Sequence, residues 1–338
     1  VIDGAQELLR RAGVRAPSTV LPVSGGANNR VFRVEAGGQS YLLKQYFRDA
    51  DDSRDRATSE WRFCRFAWTN GVRSLPQPFG CDAQRQLGLY EFVVGAPLVA
   101  VDAAALAAAL EFVKALNALR DEAEASRLPL GAEAGFSVAA HVGCVERRLA
   151  RLTAVPADGA LGEELHRFVG EIAMVWDALR AGLSGQLGDR FEEVIGGSER
   201  VLSPSDFGFH NALRRADGRL CFIDFEYAGW DDPAKLVGDF FGQVAVPVAA
   251  EWYEEFASAV AALCASPREA RKRMDLLRPV YMLKWVLILL NEFLPDSGRR
   301  RMFAGRAPTP ERQAEQLEKA RAAFQRISGP GANPLTAR

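Results

Sequence analysis

Asp206-Phe-Gly-Phe-His-Asn211 and Phe222-Ile-Asp224-Phe-Glu226 hold the residues best suited to chemistry in this chain. An Asp is followed five positions on by an Asn, and thirteen positions beyond lies a second Asp in an apolar, strand-like run. A carboxylate can accept the proton of an attacking hydroxyl. An Asn oxygen and a further carboxylate suit Mg²⁺, a hard ion that prefers oxygen ligands. One base and two metal ligands are what phosphoryl transfer asks of a protein, because the task is to align the acceptor and neutralise phosphate charge. D-x4-N also recurs by chance, and either Asp reads equally as a cap on a turn or helix. The residues between favour the chemical reading. Asn211-Ala-Leu-Arg214 and Leu220-Cys-Phe-Ile-Asp224 are short apolar-rich segments on either side of Ala216-Asp-Gly-Arg219, a hairpin signal. The spacing predicts that Asn211 and Asp224 meet at the open mouth of that hairpin.

Something must then hold the nucleotide. Lys44 ends a strand of otherwise apolar residues, where its stem can lie along a sheet and its ammonium reach a phosphate. Glu60, on the next expected helix, is placed to pair with it. Alone, the two read more simply as a surface lysine and a helix-surface acid; their order relative to Asp206, Asn211 and Asp224 favours a shared site. Ser24-Gly-Gly-Ala-Asn-Asn29 precedes the strand Val31–Val34. Its small residues, Gly25 and Gly26 with Asn29, would let backbone N–H groups approach phosphates. It is neither a full G-x-G-x-x-G nor a Walker loop. Tyr90-Glu-Phe-Val-Val-Gly95 reads as a strand ending in a Gly, and the backbone of Glu91, Phe92 and Val93 is a candidate for an adenine edge, an ordinary central strand being the alternative.

The elements that must position these residues follow from the pattern. Ile2 to Ala12 reads as a short amphipathic helix ended by Gly13. Val31–Val34 and Tyr41–Lys44 form a hairpin through Gly37-Gly38, Arg54 to Asn70 is helical, and Leu87 to Val94 is a strand. Beyond Gly95 the chain is mainly helical: Asp102 to Leu119, Ser137 to Leu152, Gly162 to Leu183, Ala234 to Gln243, Ala249 to Cys264, Pro267 to Phe293 with a break expected near Pro279, and Pro310 to Ile327. The fold class is therefore α+β, with a small β-rich N-lobe over residues 1–95 and a larger, mainly helical C-lobe over 96–338. The 338 residues carry a formal net charge of −1, which gives no sign of a nucleic-acid or membrane-surface partner. The basic runs Arg271-Lys-Arg273 and Arg299-Arg-Arg301 read as solvated helix faces or ends. The five cysteines are scattered without a CxxC pair, the three histidines are far apart, and the N-terminal residues lack the pattern of a signal peptide. Reduced thiols in a cytoplasmic protein without a zinc site are the expectation. No apolar run approaches the length of a membrane span.

In order, these residues resemble the aminoglycoside phosphotransferase and choline kinase superfamily, which shares the protein-kinase-like fold. The resemblance runs from about Val23 to Asp239. It rests on Ser24–Asn29, Lys44, Glu60, Tyr90–Gly95, Asp206-x4-Asn211, Asp224-Phe-Glu226, and Gly229-Trp-Asp-Asp-Pro233 followed by Asp239. It implies a two-lobed fold, ATP and Mg²⁺ as cofactors, Asp206 as catalytic base, Asn211 and Asp224 as metal ligands, and Lys44 on the α/β-phosphates. Asp232-Pro233 and Asp239 would support the catalytic loop. The helix Lys284-Trp-Val-Leu-Ile-Leu-Leu-Asn-Glu-Phe293 is similar to that of a bacterial phosphotransferase branch, some members of which are linked to surface-polysaccharide genes. One departure stands out. The family has His two residues before the catalytic Asp, whereas Ser203-Pro-Ser-Asp206 puts Pro204 there; His210 or Ser205 is available to replace it.

The expected reaction is ATP-dependent phosphorylation of a hydroxyl on a sugar, amino sugar or amino alcohol. Acceptor-lining candidates are Glu226, Trp230 and Asp231, which follow the second metal ligand, and Lys284, Asn291 and Glu292. Lys284 and Asn291 are seven apart and share a helix face; satisfying core backbone groups is the alternative use of that face. A nucleotide-binding pseudoenzyme, suggested by Pro204, and transfer of AMP instead of phosphate are the rivals within this site. A protein kinase is disfavoured, since no D-F-G or A-P-E segment is present.

Overall fold

The computed structural model describes residues 1–23, 28–48 and 54–328. Two compact units emerge. The first gathers Val1–Ala132, Leu202–Trp230 and Arg300–Arg306; the second gathers Glu133–Val201, Asp231–Arg299 and the C-terminal segment from Ala307. Lys44, Glu60, Asp206, Asn211 and Asp224 all belong to the first.

In chain order the first unit begins with α1 (Ile2–Arg11), β1 (Ser18–Val23), β2 (Arg30–Ala36), β3 (Gln39–Gln45), α2 (Arg56–Thr69), β4 (Pro78–Asp82), β5 (Leu87–Glu91), β6 (Ala96–Pro97) and α3 (Ala103–Asn117). β1 to β5 form an antiparallel sheet in the order β1-β2-β3-β5-β4. Gly37 and Gly38 both adopt positive φ (59° and 76°), as a two-residue hairpin turn between β2 and β3 requires. Side chains alternate across the sheet. Tyr41 and Leu43 of β3 and Leu87 and Leu89 of β5 enter one core with Ala5, Leu8 and Leu9 of α1. Lys44, one residue out of phase with that set, therefore leaves by the opposite face, where its partner in the ladder is Gly88. A Cβ at Gly88 would lie 2.9 Å from the Tyr90 hydroxyl and 3.0 Å from that of Tyr46, so glycine leaves room for both phenols on the Lys44 face.

Later in the chain the first unit contributes β7 (Val201–Ser203), whose last two residues belong to it, then β8 (Ala212–Arg214), β9 (Leu220–Phe222) and the start of β10 (Gly229–Asp231). β8 and β9 are the expected hairpin, with Ala212 opposite Phe222 and Gly218 at φ 83° in the turn. β6 adds to its edge, and Gly95 permits this: a Cβ there would sit 2.9 Å from the Arg214 carbonyl oxygen. The strand expected to run to Val94 stops at Glu91, whose N–H donates to Gln77 and whose carboxylate meets Arg215 at 2.8 Å.

The second unit is helical: α4 (Val138–Thr153), α5 (Gly159–Leu187), α6 (Pro233–Gly242), α7 (Tyr253–Ala261), α8 (Pro267–Leu289, continuous through Pro279), most of α9 (Pro295–Phe303) and α10 (Pro310–Ser328). α6 and α8 approach closely because Gly238 and Gly242, one turn apart, face Tyr281 and Trp285, also one turn apart; a Cβ at either glycine would clash with the ring opposite it. A network of charges, buried at Asp231, Lys235, Asp239 and Lys284 and open to solvent at Glu133, ties these elements together. Lys235 pairs with Asp231 (2.6 Å) and Asp239 (3.3 Å), Asp239 with Lys284 (3.0 Å), and Lys284 with Glu133 (3.6 Å). Asp232 caps α6 through the Ala234 N–H and also meets His141 (3.0 Å) and Arg273 (2.7 Å).

Arg148 reaches both oxygens of Glu133 at 2.7 Å. Burial would raise the Glu133 carboxyl, but the Lys284 and Arg148 cations outweigh it and hold it down to about 2. A carboxyl depressed by folding contributes stability that is present above its unfolded value, near 4.5, and lost as pH falls toward the folded one. Glu133→Gln should therefore lower the thermal midpoint at neutral pH, and the gap to wild type should close as pH falls below about 4.5. Calorimetric scans across that range check it; a gap independent of pH would exclude the linkage.

Candidate active site

The candidate site draws on several stretches of the first unit, and those of Asp206 and Asp224 are each held by an adjacent aromatic residue. Phe225, next to Asp224, stacks on Phe63 of α2 at 5.3 Å between ring centroids. Phe222 stacks on Phe112 of α3 at 4.8 Å, and Phe207, next to Asp206, meets Phe112 at 5.8 Å and Phe222 at 5.2 Å. Asn117 at the end of α3 exchanges two hydrogen bonds with the main chain of Leu202 (2.9 and 3.0 Å), fixing β7 just before the Asp206 loop. Ser205 and Asp224 both stand at positive φ (68° and 70°), a conformation that costs about 1–3 kcal/mol and persists only where surrounding contacts impose it.

Lys44 is the hub. Its ammonium lies 2.7 Å from Glu60 of α2, donates to Asp224, and lies 3.7 Å from Glu226. Burial alone would push the lysine down, but the three carboxylates outweigh it and hold it well above the usual range. Glu60 is fully used: Oε2 also accepts from the Tyr46 hydroxyl (2.7 Å), and Oε1 accepts from the Phe225 N–H (3.1 Å). Tyr46 in turn shares a hydrogen bond with Tyr90 (2.9 Å). Burial raises the Glu226 carboxyl despite the pull of Lys44. The oxygens of Glu60, Asp224 and Glu226 come within 4.8 Å of one another.

At the hairpin mouth the Ile223 N–H donates to the Asn211 carbonyl at 2.9 Å, which brings the main chain of Asn211 beside the residue preceding Asp224. The Asn211 amide nitrogen donates to the Asp206 carbonyl at 3.0 Å, which leaves its side-chain oxygen as an available acceptor. His210 Nε2 lies 3.3 Å from Asp206 Oδ1.

Other candidates have different surroundings. Gly25 and Gly26 lie outside the described residues. Asn29 is buried with both ends of its amide engaged, donating to Glu226 (2.7 Å) and accepting from the Phe47 N–H (3.1 Å). Phe92 and Val93 carry the chain from β5 to β6, with the Arg33 guanidinium 5.0 Å from the Phe92 ring. Glu226, offered as acceptor-lining, is buried 3.7 Å from Lys44 and accepts from Asn29, neighbours that the D-x-E spacing from Asp224 did not specify. Trp230 donates to the Ala125 carbonyl at 2.8 Å. Asp231, Lys284 and Glu292 are buried within the second unit, the first two in the network around Lys235 and Asp239 and the last 2.9 Å from Arg312. Asn291 lies in the short turn that extends α8, where its carbonyl accepts from Leu294. Tyr46, one residue past the end of β3 and two beyond Lys44, was not anticipated. Among the described residues no helix is long and apolar enough to cross a membrane, and all five cysteines are free thiols.

Comparison with known proteins identifies the family and the fold. The family model of the phosphotransferase enzyme family matches residues 19–277. A spectinomycin phosphotransferase solved with ADP and spectinomycin superposes with a TM-score of 0.56 at 12% identity, covering 98% of this chain and 96% of that one. Choline kinase from Cryptosporidium parvum gives 0.53 at 14% identity over 95% and 92%. Choline kinase from Streptococcus pneumoniae gives 0.54 at 13% identity over 95% and 98%. At these identities the likeness is one of fold, and a search of curated protein sequences finds no match. With its β-rich sheet, its helical second unit and a family model spanning most of its length, the chain belongs to the phosphotransferase enzyme family.

Proposed function

We propose that the chain is an ATP-dependent kinase of a small molecule's hydroxyl group, with a sugar, amino sugar or amino alcohol as acceptor. The observation that supports this reading best is the buried Lys44 ammonium shared between Glu60 of α2 and Asp224 beside the hairpin, with Asn211 at the same hairpin mouth and bonded to Asp206. Residues 1–95 would hold the nucleotide, and 96–338 would carry base, metal ligands and acceptor. The 24–29 turn, with Gly25 and Gly26, would receive the phosphates, and the main chain of Glu91 to Val93 the adenine edge. The compartment expected from the unpaired thiols is the cytoplasm.

In this mechanism Asp206 takes the proton of the acceptor hydroxyl as its oxygen attacks the γ-phosphorus. The new O–P bond forms while the bond from phosphorus to the β–γ bridging oxygen breaks. ADP leaves with that electron pair, and the proton stays on Asp206 until water removes it. Lys44, steered by Glu60, draws the phosphate tail into line. The oxygen donors of Asn211 and Asp224 fit a hard divalent cation and would hold Mg²⁺, which when bound neutralises phosphate charge. The spectinomycin phosphotransferase of the same fold binds ADP and spectinomycin, in keeping with a nucleotide and a small acceptor.

Pro204 favours one second reading, a pseudoenzyme that binds nucleotide without transferring phosphate. A screen of sugars, amino sugars and amino alcohols for Mg-ATP consumption, beside a thermal-shift titration with ATP and Mg²⁺, tests both. Turnover with one acceptor and a phosphate's mass added to it supports the kinase. Binding without turnover supports the pseudoenzyme, and an added AMP mass would redirect the assignment to nucleotidyl transfer.

A further inference from the structure

The loop that carries Asp206 is built without a donor two residues upstream. Pro204 has no N–H, and its ring offers no polar atom. The next N–H, that of Ser205, donates back to the Ser203 hydroxyl at 3.0 Å. A hydrogen for the Asp206 carboxylate comes from downstream. His210 Nε2 lies 3.3 Å from Asp206 Oδ1, and because a carboxylate only accepts, that nitrogen must carry the hydrogen. His210 is itself well placed to do this. It sits in the single 3₁₀ turn Phe209–Asn211, anchored on one side by the fully buried Phe209. On the other side the Asn211 N–H closes the turn on the Gly208 carbonyl (3.1 Å), and the Asn211 amide donates to the Asp206 carbonyl (3.0 Å). The turn thus holds Asp206 at two points, its main chain through Asn211 and its carboxylate through His210.

We propose that His210 is a positioning residue for phosphoryl transfer, acting through the Asp206 carboxylate. By fixing Oδ1 it stops the carboxylate rotating about its broad, two-fold χ2 torsion and so holds the base in one orientation. The inference rests on Asp206 being the base. It requires a donor at position 210, not a cation, so a neutral side chain of similar reach serves. Loss of the donor leaves the nucleotide ligands untouched and lets the base wander, an error of the size that costs about tenfold to a hundredfold in turnover.

The test compares full-length wild type, His210→Ala and His210→Gln in Mg-ATP consumption, with ADP binding and thermal midpoint measured on the same preparations. His210→Ala should lower kcat by about tenfold to a hundredfold while KM for ATP, ADP affinity and thermal midpoint stay at wild-type values. His210→Gln, which keeps an N–H donor, should recover most of the rate. A His210→Ala enzyme as fast as wild type overturns the proposal, as does a rate lost only in step with ADP binding or thermal midpoint, or a Gln variant no better than Ala. In all of these Asp206 remains the base. A wild type that binds ADP but consumes no ATP with any acceptor overturns the reading of Asp206 itself, and His210's role with it.

Discussion

Asp206→Asn should bind ADP like wild type and consume Mg-ATP about 10²–10⁴-fold more slowly, a loss of roughly 3–5 kcal/mol of transition-state stabilisation. The substitution is close to isosteric. An Asn oxygen still accepts from His210, and the Asn211 amide still reaches the main-chain carbonyl at position 206, so the loop keeps both of its holds. What disappears is the carboxylate's ability to take a proton, together with its negative charge. Steady-state kinetics with the acceptor found by screening, beside calorimetric ADP binding, separates the two quantities. A rate near that of wild type would remove Asp206 from the role of base. Equal losses of rate and ADP affinity would point to loop collapse instead.

How much of this was legible in the sequence differs from residue to residue, and the reasons are physical. Lys44 could be assigned a face because β3 alternates, with Tyr41 and Leu43 going into the α1 core. Asn211 and Asp224 could be brought together because a hairpin with Asp-Gly at its tip fixes its own register. Glu60 followed from the order of elements alone. Contacts between segments far apart in the chain were another matter. Nothing local says that Lys284 pairs with Asp239, forty-five positions earlier, so its polarity on an apolar helix was open to both a pocket face and a core role, and the charge network it joins was not readable. Glu226 was seen but given to the acceptor, because two residues of spacing from Asp224 do not say which cation it will face. β4 escaped notice because Pro78-Phe-Gly-Cys-Asp82 has neither alternation nor β-branched residues, and α9 because Pro295, Gly298 and the arginine run look like the end of a helix and not like one.

Lys44→Met should damage both stability and nucleotide binding. Methionine is flexible and similar in length, so the change removes charge more than it removes volume. Three carboxylates then face one another without their cation. Asp224 keeps 39% of its side chain exposed and can be hydrated, but Glu60 and Glu226 are 6% and 1% exposed. Removing one partner of a buried ion pair typically costs about 3–5 kcal/mol, because the remaining charge is stranded. Glu60 retains the Tyr46 hydroxyl and the Phe225 N–H, and Glu226 retains Asn29, which places the expected loss toward the lower end of that range. The sign of the pH dependence follows. Burial already raises the Glu226 carboxyl against the pull of Lys44, and without the lysine it rises further. A carboxyl raised by folding makes the native state bind more protons than the unfolded one, so the variant's stability falls as pH increases through that region. The deficit relative to wild type should be largest at neutral pH and shrink toward pH values near the ordinary carboxylate range. Glu226→Gln added to Lys44→Met should restore part of the loss, since the amide oxygen can still accept from Asn29 and one stranded charge is gone; groups in such direct contact couple by about 0.5–3 kcal/mol. Urea titrations of both single variants and the double variant, at two pH values, measure the coupling. Strict additivity would mean that Lys44 and Glu226 do not share a charge balance, and the buried cluster would lose its place as the foundation of the site.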